Sequence, residues 1–286
     1  ALANLKCKRE DLVVSTKLYW FKSEKFPGVN CVGLSRKHIL EGIKSSLKRL
    51  QLDYVDIVFC HRADLDIPLE EICRSMSWIV DQGYTHYWGT SEWPACLISA
   101  AIEICNRLNL HKPIAEQPQY SMVYRERMEE EYRDIFEIYK YGTTIWSPLA
   151  NGLLSGRFND GNIDPESRLN KPGFAKMLHD KLISSIPDIY TKLNQLGEIA
   201  KDLGCSQAQL ALLWVIANKD VTTCILGASK ISQLKENLET IKFLSKWTPE
   251  LNDKIDNLLG NQVKQRMNFK NFELLTNRRN TNQINI

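Results

Sequence analysis

The chain has 286 residues, 43% of them hydrophobic, 25% charged and 9% aromatic, with a mean hydropathy of −0.31. It is long enough for one large domain burying roughly 75% of its unfolded surface, and its composition excludes a disordered chain, a collagen-like one and a small disulfide scaffold. The net charge of +3 sits at the end: residues 261–286 carry Lys264, Arg266, Lys270, Arg278 and Arg279 against Glu273 alone. Residues 1–260 therefore show no basic bias, and no nucleic-acid partner is expected.

Short apolar runs alternate with amphipathic stretches. Strands are predicted at Leu12–Thr16, Tyr54–Cys60, Thr85–Thr90, Ile114–Gln117, Thr143–Trp146 and Thr222–Leu226, all rich in β-branched and aromatic residues. Between them, Ser35 is a natural N-cap for a helix whose Ile39, Leu40, Ile43, Leu47 and Leu50 fall on one face. Further helices are predicted over Leu69–Gln82, Ala95–Leu108, Glu126–Tyr139, Ile189–Leu203, Ser206–Ala217 and Ile231–Leu244. A polar, Asn/Arg-rich tail, expected to be mobile, runs over 261–286.

No apolar run reaches the ~18 residues of a membrane-spanning helix, and Ala1-Leu2-Ala3-Asn4 does not open a signal peptide. Eight cysteines (Cys7, Cys31, Cys60, Cys73, Cys96, Cys105, Cys205, Cys224) form no CxxC pair and no zinc-spaced cluster with histidine. A cytoplasmic chain with reduced thiols and no bound metal is the expectation.

Strand–helix alternation calls for a parallel α/β sheet, either doubly wound or a (β/α)₈ barrel. The GxGxxG of a dinucleotide-binding doubly wound fold is absent. Instead a polar or aromatic group closes nearly every strand: Lys17, His61, Ser91-Glu92, Gln117, Trp146-Ser147 and Gly227–Ser229. Side chains converging from several strand ends are what the C-terminal face of a barrel provides. Six strands fall short of the eight a closed barrel needs, so residues 1–260 are read as a barrel lacking roughly its first two β/α units.

These segments carry a resemblance. Ser15-Thr16-Lys17, Gly33–Ile39, Leu50–Asp56, Tyr87–Trp93, Glu116–Tyr120, Trp146–Ala150 and Leu226–Ser229 with Gln233, Glu236 and Asn237 are together similar to the aldo-keto reductase superfamily. They are most similar to its voltage-gated potassium channel β-subunit branch. The resemblance implies a (β/α)₈ TIM barrel with NADPH (or NADP+) extended across its C-terminal face. It implies hydride transfer to a small carbonyl substrate, an aldehyde or ketone. Lys17 and His61 match two of the four catalytic positions; the tyrosine and aspartate belong to a second β/α segment that this sequence does not contain. Animal channel β subunits carry asparagine where His61 stands and arginine where Glu92 stands.

For the cofactor the resemblance implies that Ser91 and Gln117 hold the nicotinamide carboxamide and that Trp146 packs on the nicotinamide ring. Ser147, Pro148, Leu149 and Ala150 line the pyrophosphate path, and Arg157 and Arg168 face the phosphates. Gly227, Ser229, Gln233, Glu236 and Asn237 form the adenosine 2′-phosphate site. There Ser229 is read as the cap of a helix whose N-terminus suits an anion. The resemblance also implies a homotetramer docked on voltage-gated potassium channel α subunits, peripheral to the membrane without entering it. A truncated, NADPH-binding pseudoenzyme is the further alternative.

Overall fold

A computed structural model describes residues 6–20, 30–162, 169–170 and 172–264. Six strands form one parallel sheet in chain order: β1 (Ser15–Leu18), β2 (Val55–Cys60), β3 (Thr85–Thr90), β4 (Ala115–Glu116), β5 (Gly142–Ile145) and β6 (Thr223–Cys224). Between β1 and β5 run α1 (Arg36–Leu50), α2 (Leu69–Asp81), α3 (Ala95–Leu108) and α4 (Arg133–Tyr139). Between β5 and β6 come α5 (Phe174–Ser185), α6 (Ile189–Leu203) and α7 (Gln207–Ala217); α8 (Ile231–Leu238) and α9 (Pro249–Leu259) follow the last strand. Among the described residues β1 pairs only with β2 and β6 only with β5.

Local chemistry accounts for the helix ends. The Ser35 hydroxyl accepts the His38 N–H at 3.3 Å, and Ile39, Ile43 and Leu47 bury the inner face of α1. Ser206 and Gln209 form a reciprocal capping box at the start of α7, which is apolar and buried over most of its length. The Thr248 hydroxyl accepts the Leu251 N–H, with Pro249 at the first helical position of α9.

The register decides which side chains face the site. Lys17 stands beside Phe59, Phe59 beside Gly89, and Thr90 beside Glu116. Since side chains alternate along a strand, Lys17, Phe59, His61, Gly89, Ser91, Gln117 and Thr144 share one face of the sheet. Leu18, Cys60, Thr90, Glu116 and Ile145 point to the helix-covered face, where all are buried. Gly89 is required by crowding: a Cβ there would lie 2.4 Å from the Ala115 carbonyl oxygen and 2.8 Å from the Phe59 ring.

A carboxyl group lies wholly inside the helix-facing core. Glu116 is fully buried; the Thr90 hydroxyl donates to its Oε2, and the Trp93 N–H donates to its Oε1 at 3.3 Å. Burial pushes its carboxyl up to about 8, against the Thr90 and backbone hydrogen bonds and with help from the Glu92 charge.

Several boundaries differ from the sequence expectation. The first strand begins at Ser15 rather than Leu12; Val13 is 79% exposed, and pairing with β2 starts at Ser15. The stretch expected as one helix over Glu126–Tyr139 is a π turn, Arg127–Glu131, followed by α4. The Ile231–Leu244 helix ends at Leu238 and continues as a 3₁₀ stretch, Glu239–Lys246. Helices α5 and α9 were not expected. From residue 265 onward the expected tail lies outside the described residues, and so does Arg168.

Candidate functional site

Lys17 and His61 end the first two strands as neighbours. The backbone N–H of His61 donates to the Leu18 carbonyl at 2.9 Å, extending the β1–β2 ladder by one residue. Both side chains are half-buried. Burial and the adjacent Arg62 guanidinium lower the Lys17 pKa. Burial, Arg62 and Lys17 together hold His61 down to about 4, so its imidazole is neutral at physiological pH.

Ser91 and Gln117 stitch the next strand ends together. The Ser91 hydroxyl donates to the Gln117 carbonyl at 2.9 Å, and the Gln117 Nε2 donates to the Thr144 hydroxyl at 2.9 Å. They are 1% and 2% exposed.

Beyond β5 and β6 a cleft of about 1190 Å³ opens between two loops, its walls formed by residues in 146–158 and 225–237 with Asn162 and Ala208. It gathers Trp146, Ser147, Pro148, Leu149, Arg157, Gly227, Ser229, Gln233, Glu236 and Asn237. Ala150 is buried next to it and does not line it; Lys17, His61, Ser91 and Gln117 lie outside its lining.

The β5 loop is tightly wound. Ser147, Ala150 and Asn151 hold φ of 57°, 47° and 57°, and Gly152 holds 101°. Non-glycine residues in this region are uncommon and cluster where a loop is shaped for a ligand. The Ala150 and Gly152 N–H groups are spent inside the loop, on Ser147 and Leu149 carbonyls. Glycine at 152 is favoured by its φ, which strains any residue with a Cβ. Arg157 is exposed, and its Nε donates to the Ser155 hydroxyl at 3.2 Å.

The start of α8 corrects one expectation: the N-cap is Lys230, not Ser229. The Gln233 amide oxygen accepts from the Ser229 N–H at 3.0 Å, the Ser229 hydroxyl at 3.1 Å and the Lys230 N–H at 3.2 Å. A side-chain carbonyl thus occupies the donors to which an anion would be drawn. Asn237, one turn on, is buried.

Glu92 had no assigned role, and no local pattern marks it. Its Oε1 accepts from the Trp146 indole N–H at 2.9 Å and from the Gln119 N–H at 2.6 Å, contacts 54 and 27 residues away in the chain. Only the tertiary structure brings these partners together. Among the described residues no group of three or more His, Cys, Asp or Glu side chains is placed to hold a metal ion, and no helix is long and apolar enough to cross a membrane.

The family described as Aldo/keto reductase family matches residues 1–259. An Oryza sativa subsp. japonica protein named "Probable voltage-gated potassium channel subunit beta" is 42% identical over 270 residues, 94% of this chain and 80% of that protein. An Arabidopsis thaliana protein of the same name is 40% identical, with the same shares covered.

Proposed function

This chain belongs to the aldo/keto reductase family, and from that premise we propose that it is an NADPH-dependent oxidoreductase acting on aldehydes and ketones. The observation that carries this reading is the cleft beyond β5 and β6, which gathers ten of the residues expected to touch a dinucleotide. The same reading makes the six strands part of a (β/α)₈ barrel, closed by two further β/α units.

The residues present fit such a cofactor. The Trp146 indole offers an apolar face and Arg157 a guanidinium suited to phosphate. Ser229, Gln233 and Asn237 line the far end with polar atoms. When bound, NADPH supplies the hydride. The neutral His61 imidazole donates a hydrogen bond to the substrate carbonyl oxygen and fixes its orientation. The half-buried Lys17 ammonium stabilises negative charge developing at that oxygen. Burial, with the positive charges of Arg62 and Lys17 beside it, keeps His61 from becoming a third cation in this cluster.

Titration of the purified chain with NADPH, read by quenching of its seven tryptophans, should saturate, and a reactive aldehyde should then accelerate loss of dihydronicotinamide absorbance. Absence of saturable quenching rejects the reading. Saturable binding without turnover identifies a nucleotide-binding pseudoenzyme instead.

A second reading rests on the names of the relatives: a β subunit that regulates a voltage-gated potassium channel. Pull-down with a channel's cytoplasmic tetramerisation domain tests it, and clean absence of binding favours a free reductase.

A further inference from the structure

Trp146 is pinned on three sides. Its backbone N–H donates to the Pro118 carbonyl at 3.0 Å and its carbonyl accepts from the Tyr120 N–H at 3.3 Å, so the residue is tied to the β4 loop. These bonds fix the backbone and leave the ring free to rotate about its side-chain torsions. The third tie is the indole N–H to Glu92.

Glu92 is in turn held by a wider network. Its φ is 59°, a left-handed conformation that costs a residue with a Cβ roughly 1 kcal/mol. Its side chain is 15% exposed, with Oε2 3.7 Å from Arg127 Nη1. Arg127 is anchored in turn by the Trp93 carbonyl at 3.4 Å and by Glu131 at 3.6 Å. A partly buried carboxylate is thereby balanced by a guanidinium on one oxygen and satisfied by two N–H donors on the other.

We propose that Glu92 is a positioning residue, whose carboxylate locks the Trp146 indole as a rigid wall of the cleft and holds it ready for the nicotinamide. The inference rests on the nucleotide reading above. It acts through one oxygen: both N–H groups converge on Oε1. Glutamine offers the same carbonyl oxygen and methionine of similar volume offers none. Arginine, which can only donate, cannot hold the indole this way.

The test compares Glu92→Met, Glu92→Gln and Trp146→Phe in the full chain by two measurements. The first is hydrogen exchange of the Trp146 indole N–H without nucleotide, its resonance identified by its loss in Trp146→Phe. The second is the NADPH dissociation constant. Glu92→Met should speed indole exchange and weaken NADPH binding, each on the order of tenfold, the worth of one hydrogen bond to a charged group. Glu92→Gln should stay within about threefold of the parent in both. In a Trp146→Phe background Glu92→Met should add less than about twofold, since its partner is already gone.

Unchanged exchange and affinity in Glu92→Met overturns the proposal, and so does an equal loss in the Trp146→Phe background. If Glu92→Met does not fold, Trp146→Phe removes the same bond from the other end and must weaken binding where Glu92→Gln does not; equal affinities overturn the proposal. Failure of the parent chain to bind NADPH overturns the nucleotide reading alone, and indole exchange then decides the positioning role by itself.

Discussion

Replacing Glu116 by glutamine should stabilise the chain in alkaline solution and leave it nearly unchanged in mild acid. The side chain is fully buried against the helix layer, and its carboxyl holds a proton up to about pH 8 when folded, against 4.5 for an unperturbed glutamate. Below about pH 4.5 both folded and unfolded chains carry that proton, and the contribution to stability is complete. Between about 4.5 and 8 the unfolded chain ionises while the folded one does not, so stability falls steadily; above about 8 both are ionised and the loss levels off. At ~1.36 kcal/mol per pH unit the loss is on the order of 5 kcal/mol. Glutamine reproduces the neutral acid: its oxygen can accept from the Trp93 N–H and its amide can donate to the Thr90 hydroxyl. Urea unfolding followed by tryptophan fluorescence, at about pH 5 and about pH 9, should give a variant within ~1 kcal/mol of the parent in acid and several kcal/mol more stable in base. The same difference at both pH values would refute a buried, neutral Glu116.

Other consequences are equally direct. Gly89→Ala drives a methyl group into the Ala115 carbonyl and the Phe59 ring, and should cost about 1–3 kcal/mol, measurable as a lower urea midpoint at unchanged m. Gln233→Glu places a carboxylate on the Ser229 and Lys230 N–H groups, so NADPH affinity should fall about tenfold while NADH affinity changes less than about twofold; equal losses for both would remove the 2′-phosphate from this end of the cleft. His61 should keep a neutral ring down to about pH 4, visible as an NMR titration of its ring protons with that midpoint; a midpoint at the ordinary value of about 6.5 would contradict the burial and the two neighbouring cations.

The parts of the fold legible in the sequence are those written in local pattern. The apolar spacing after Ser35 and the β-branched run at Val55–Cys60 needed no distant partner to be read, and α1 and β2 stand where they were expected. Thr248 followed by Pro249 is an equally local signal for α9. β1 was displaced because Leu12, Val13 and Val14 look like a strand, whereas only pairing with Ile57–Cys60 decides which residues join the sheet. In the site, strand-end residues such as Lys17, His61 and Trp146 could be listed in advance because the ends of a parallel sheet converge. Glu92 and Gln233 could not be given their bonds, since the first depends on contacts across 54 and 27 residues and the second on which of several polar groups reaches an amide first.

The strand order carries a consequence for how the chain assembles. Among the described residues each strand pairs with the one before it in sequence, across the crossover that joins them. Such a sheet can grow by accretion, one β/α step laid beside the last, as in repeat proteins whose units lean only on their neighbours. A lesion in one step should then loosen its immediate neighbours first, and the remote steps should hold their amide protons longest.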